Sequence, residues 1–105
     1  MLKYFIIINP LGGSLLAYLF IVEDEDAISD LIAMNLSLAG YTYRQIYNGD
    51  KLLPILEKEN PDLILLDVML PGTDGFSLME SIRQKEISVI FITAKAGAEA
   101  ILSYG

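Results

Sequence analysis

Four oxygen-bearing side chains stand at the ends of apolar runs in this chain. Glu23 and Asp24 follow Leu19–Val22, Asp67 follows Leu63–Leu66, and Thr93 closes Val89–Ile92. Three carboxylates gathered in one cleft repel one another, and one would titrate high unless a cation sits among them. The chain has no His and no Cys. That removes the usual general base, the commonest soft-metal ligand and all thiolate chemistry. A hard cation held by oxygen fits better. Mg2+ takes a few carboxylates and keeps waters for a phosphate. Near such an ion a carboxylate can serve as a nucleophile toward phosphorus, forming an aspartyl phosphate. Asp67 is the candidate acceptor, with Glu23, Asp24 and Asp67 as candidate metal ligands. Thr93 can donate a hydrogen bond to a phosphoryl oxygen.

Each of these residues has a plainer reading. A lone acid at a strand end is ordinarily a solvated loop residue or a helix cap, and Thr93 by itself suits a cap. Glu25 and Asp26 read as a solvated loop and a helix start. What favours chemistry is the coincidence of three acids and a hydroxyl at the ends of three buried strands.

Those ends require particular elements behind them. Leu63–Leu66 is an unbroken apolar run bounded by turn formers, as expected of a strand covered on both faces. Leu19–Val22 and Ser88–Thr93 have the same character, and Tyr41–Tyr47 alternates as a strand. Between them the spacing predicts helices at Asp26–Leu38, Lys51–Lys58 and Phe76–Gln84. In the first, Ile28, Leu31, Ile32, Asn35 and Leu38 recur at helical spacing, and Gly40 supplies the stop. Ala94–Tyr104 reads as a last helix. Alternating strands and helices mean a parallel α/β sheet with right-handed crossovers and helices on both faces. Ligands gather at the carboxyl ends of such strands, where the acids lie. Neighbouring strands lie about 4.8 Å apart, so acids at adjacent ends share a cleft.

The 105 residues make one domain, and 53% hydrophobic residues suffice for a core. A net charge of −7 argues against a nucleic-acid surface. Tyr4–Val22 carries no charge, a length near that of a membrane-spanning helix. Asn9, Pro10, Gly12 and Gly13 interrupt it, and Leu19–Val22 is better used as a strand, so a membrane role is not expected. Gly12-Gly13-Ser14 lacks the ending of a phosphate loop and reads as a turn.

Three motifs then stand in order: VEDE at Val22–Glu25, LLDVMLPGTDG at Leu65–Gly75 and FITAK at Phe91–Lys95. Together they resemble the receiver domain of two-component response regulators, over about Leu19–Lys95. The resemblance implies a flavodoxin-like doubly wound sheet of strand order 2-1-3-4. It implies that Asp67 is the phosphoacceptor. Glu23 and Asp24 match the acidic pair serving Mg2+, and the backbone carbonyl of Met69 matches a further ligand. Thr93 matches the switch hydroxyl, and Pro71 and Gly75 match the loop that shapes the site. It also implies a cytoplasmic signalling module, not an enzyme, charged by a sensor histidine kinase or phosphotransfer protein.

The pattern departs from the family at both ends. Receivers continue into a fifth strand, whose end carries a Lys that pairs with the phosphoryl group, and then a fifth helix. Both are missing here, and Lys95 lies on the wrong element to replace that Lys. The expectation is a C-terminally truncated receiver over residues 19–105 behind an atypical apolar extension, residues 1–18. Phosphorylation would then couple poorly to output. The fourth strand becomes an exposed edge, open to homodimerisation through the fourth strand and helix face or to cover by Tyr4–Ile8. One alternative is a receiver-like interaction fragment without phosphotransfer. A haloacid dehalogenase-type phosphatase would want a second Asp at position 69, which is Met.

Overall fold

The computed structural model describes residues 17–67, 69–70, 75–93 and 101–104. Its elements are β1 (Tyr18–Val22), α1 (Asp26–Leu38), β2 (Thr42–Ile46), a 3-10 turn (Gly49–Lys51), α2 (Leu52–Leu56), β3 (Leu63–Asp67), α3 (Gly75–Gln84), β4 (Ser88–Thr93) and β5 (Ile101–Tyr104). The sheet runs β2-β1-β3-β4-β5. Its first four strands are parallel, in the order 2-1-3-4 expected of a flavodoxin-like doubly wound fold.

Strand alternation divides the core into two layers. On one side, Leu19 and Ile21 of β1 and Leu63 and Leu65 of β3 pack against Ile32, Ala33 and Leu36 of α1. On the other, Phe20, Val22, Ile64 and Leu66 pack against Leu52 and Leu56 of α2 and Leu78 and Ile82 of α3. β1 and β3 are therefore covered on both faces, which is why their sequences lack a polar alternate. Each fully buried side chain of this size contributes roughly 1.5–3 kcal/mol by leaving water.

α1 has the predicted bounds and ends as predicted. Gly40 takes φ 89°, its N–H bonds to Ser37 O at 3.1 Å, and Tyr41 N–H reaches Leu36 O at 3.0 Å. This is the left-handed closure that favours glycine. The buried face differs from the predicted one. Ser29, Ile32, Ala33 and Leu36 are buried, whereas Leu38 is 81% exposed. A second left-handed residue, Glu86 at φ 58°, turns the chain from α3 into β4 where no glycine marks the turn.

Three further expectations are corrected. The helix predicted over Lys51–Lys58 is a 3-10 turn plus the five-residue α2. Asn48 caps the turn by accepting Asp50 N–H at 2.8 Å, and Pro54 contributes no donor to the short helix. At the end of the chain, Ile101–Tyr104 is not helical. It forms β5, antiparallel to β4, with Thr93 opposite Ile101 and Ile90 opposite Tyr104. Pairing satisfies the backbone groups of β4 that an edge would leave open, so β4 is not the exposed edge that was expected. The place proposed for Tyr4–Ile8 beside β4 is held by β5, and Tyr4–Ile8 itself lies outside the described residues. Among the described residues, no helix is long and apolar enough to cross a membrane.

Candidate functional site

The register brings the acids together. Val22 of β1 lies opposite Leu66 of β3, so the next residues, Glu23 just past β1 and Asp67 at the end of β3, stand side by side at the rim. Asp67 in turn lies opposite Ile92, which puts Thr93 one position beyond it on the same rim. One carboxylate oxygen from each of Glu23, Asp24 and Asp67 can be chosen so that all lie within 4.8 Å of one another. Glu23 and Asp67 are buried, at 1% and 2% exposure, and Asp24 is half-buried. Taking carboxylates out of water is costly unless charge or hydrogen bonds compensate.

Backbone donors orient two of them. Met69 N–H bonds to Asp67 Oδ1 at 2.9 Å. Glu25 N–H bonds to Glu23 Oε2 at 2.9 Å, so the first acid also shapes the loop that carries the second. Glu23 N–H itself bonds to Ile46 O at the end of β2, at 3.0 Å. These contacts fix the carboxylates before any ligand arrives.

The donor set fits a hard divalent cation. It is all oxygen, it carries concentrated negative charge, and it combines buried acids with a half-buried one on the solvent side. Met69 sits beside this group in the loop after β3, exposed and with its N–H turned toward Asp67. Gly75 begins α3. Pro71 and Lys95 lie outside the described residues. Two polar residues just below the rim carry no signal in their spacing that marks them for the site. Gln45 Nε2 donates to Ser29 Oγ at 2.9 Å and to Asp30 Oδ1 at 2.8 Å. For Ser29 the spacing marks burial alone, one turn before Ile32 and Ala33 on the same helix face.

Comparison with known proteins points the same way. Residues 19–104 match the family model described as response regulator receiver domain. The response regulator TrrA of Thermotoga maritima, solved in complex with Mg2+-BeF, is 30% identical with a TM-score of 0.70, over 77% of this chain and 72% of that one. The N-terminal domain of a response regulator receiver protein from Methanoculleus marisnigri is 32% identical with a TM-score of 0.70, over 76% and 68%. The chemotaxis response regulator CheY4 of Vibrio cholerae is 25% identical with a TM-score of 0.69, over 77% and 71%. By its motifs, its parallel sheet and its match along 19–104, this chain belongs to the response regulator receiver domain family.

Proposed function

We propose that this chain is a phosphoacceptor of a two-component phosphorelay, with Asp67 as the residue that receives the phosphoryl group. The observation that carries this reading is the convergence of Glu23, Asp24 and Asp67 within 4.8 Å at the carboxyl end of the sheet. In the reaction an Asp67 carboxylate oxygen attacks phosphorus. A new O–P bond forms as the bond to the donor breaks, and the donor group departs with its electron pair. No protein base is required, because an ionised carboxylate carries no proton to remove. This suits a chain without His.

Glu23, Asp24 and Asp67, with the Met69 carbonyl, would hold Mg2+, Asp24 more directly than Glu23. When bound, the ion offsets the negative charge gathered by the carboxylates and the phosphoryl oxygens. The Met69 amide fixes the rotation of the Asp67 carboxylate, and Glu23 holds the acidic loop through Glu25 N–H. Thr93 would act as the switch hydroxyl, reporting the phosphoryl group to the face built by β4. Pro71 and Gly75 would shape the loop after Asp67. The donor is a histidine kinase or a phosphotransfer protein, in keeping with the family, and residues 19–105 are the unit that acts.

Incubation with acetyl phosphate and Mg2+, read by intact mass, tests this. One phosphoryl group is expected on the wild-type chain, and none without Mg2+ or on Asp67→Asn. Equal labelling of wild type and Asp67→Asn removes Asp67 from the role.

A further inference from the structure

The metal-binding loop is tied to the sheet from a second point. β2 faces α1 with Gln45, which lies opposite Ile21 of β1, two residues before Glu23. The half-buried Gln45 side chain spends both hydrogens of its amide on α1, one on Ser29 Oγ and one on Asp30 Oδ1. Ser29 is fully buried, and it is the one polar residue on a buried helix face otherwise made of Ile32, Ala33 and Leu36. A buried hydroxyl there needs a partner, and Gln45 provides it.

Ser29 also belongs to the first turn of α1, which hangs from the acidic loop. Its N–H bonds to Glu25 O at 2.9 Å, and Glu25 N–H bonds to Glu23 Oε2. Asp24 lies between these two anchored residues. A shift of the first turn of α1 away from β2 therefore displaces the backbone on either side of Asp24. Binding sites lose function when their groups move by about 0.5 Å.

We infer that Gln45 is a positioning residue for the acidic site: its amide clamps Ser29 and Asp30 to β2 and so sets where Asp24 stands. An amide suits the task because it donates twice without charge. A Lys or Arg in its place would bring a fixed positive charge toward acids meant for a cation. The inference rests on the metal-site reading above.

The test replaces Gln45 with Met, which keeps the length of the side chain and removes both donors. Arg44→Met, the neighbouring position on the same strand, is the control. Amide spectra of the full chain give the Mg2+ dissociation constant by titration and, without metal, the hydrogen-exchange rates of Ala27–Leu31. Gln45→Met is expected to weaken Mg2+ binding by up to about tenfold, the lower end of what losing a direct hydrogen-bond partner of a metal ligand costs, since Gln45 acts one contact further out. It should also speed exchange across the first turn of α1, with Arg44→Met changing neither. Unchanged Mg2+ affinity in Gln45→Met overturns the inference, as does an equal loss in Arg44→Met. If wild type binds no Mg2+, the metal-site reading fails. Exchange then decides the clamp alone, and unchanged rates in Gln45→Met overturn it.

Discussion

Charged groups gather at both ends of this sheet, and the two gatherings are built on opposite principles. At the amino end, signs alternate. Glu59 accepts from the Tyr18 hydroxyl and pairs with Arg44, and Asp62 Oδ2 accepts Tyr18 N–H at 2.8 Å. At the carboxyl end, like charges converge, with Glu23, Asp24 and Asp67 within 4.8 Å. The first arrangement fastens the start of β1 to the segment before β3 and to β2. The second gathers three carboxylates where a cation can be held. Strands laid parallel deliver unlike sets of residues to their two ends, so one end can be given to fastening and the other to binding.

The largest expected effect tests whether one core carries both ends. Leu65 is buried in the middle of β3. Leu65→Ala should cost about 2–5 kcal/mol and lower both ends together in a single denaturation transition. Separate transitions reported from the two ends would break the idea of a shared foundation.

Next comes the binding end. Mg2+ at ten times its dissociation constant should stabilise wild type by about 1.4 kcal/mol, seen as a rise in Tm. Asp24→Asn should lose most of that rise, and Glu59→Gln should keep it. A Tm response equal in Asp24→Asn and wild type would erase the distinction between the ends.

A smaller effect belongs to the fastening end. Arg44 is 46% exposed in its ion pair, so Arg44→Ala should cost no more than about 1 kcal/mol, and less in high salt. The same substitution should leave the Mg2+ response intact, which a titration monitored by Tm checks.

The smallest effect is a pH limb. Burial raises the Tyr18 phenol above its ordinary value of 10.0, and Glu59 reinforces this as hydrogen-bond acceptor and as a nearby negative charge. A raised folded value means the stabilisation is fully present below pH 10 and is lost as the pH climbs through the folded value. Tm measured from pH 8.5 to 11 should therefore fall slightly more steeply for wild type than for Tyr18→Phe. Parallel curves would show that the Tyr18 phenol titrates alike in the folded and unfolded chain.

Much of this was legible in the residues. β3 and β4 have the bounds read from their apolar runs, and α1 has those read from its spacing, with Gly40 as its stop. The juxtaposition of Glu23, Asp24 and Asp67 was also legible, because parallel crossovers leave few ways to order these strands. The fate of Ile101–Tyr104 was not. Its residues tolerate either helix or strand, and the open edge of β4 decides for strand. Nor was the inward face of α1, where Leu38 lies outside and Ser29 inside. Apolar spacing alone does not say which side of a helix meets the sheet, and at 3.6 residues per turn Leu38 lies on the side of α1 opposite Ser29.

By itself, the sequence determined that three acids would stand at the carboxyl ends of buried parallel strands, because apolar runs and turn formers fix strand ends locally. What braces the loop that carries Glu23 and Asp24 was settled only by the packing of α1 on β2. Glu25 N–H donates to Glu23 and Met69 N–H to Asp67 across only two residues, whereas Gln45 reaches across to Ser29 and Asp30. The Gln45 bonds join residues on different elements, whose meeting depends on how α1 packs against β2, and no local preference encodes that distance.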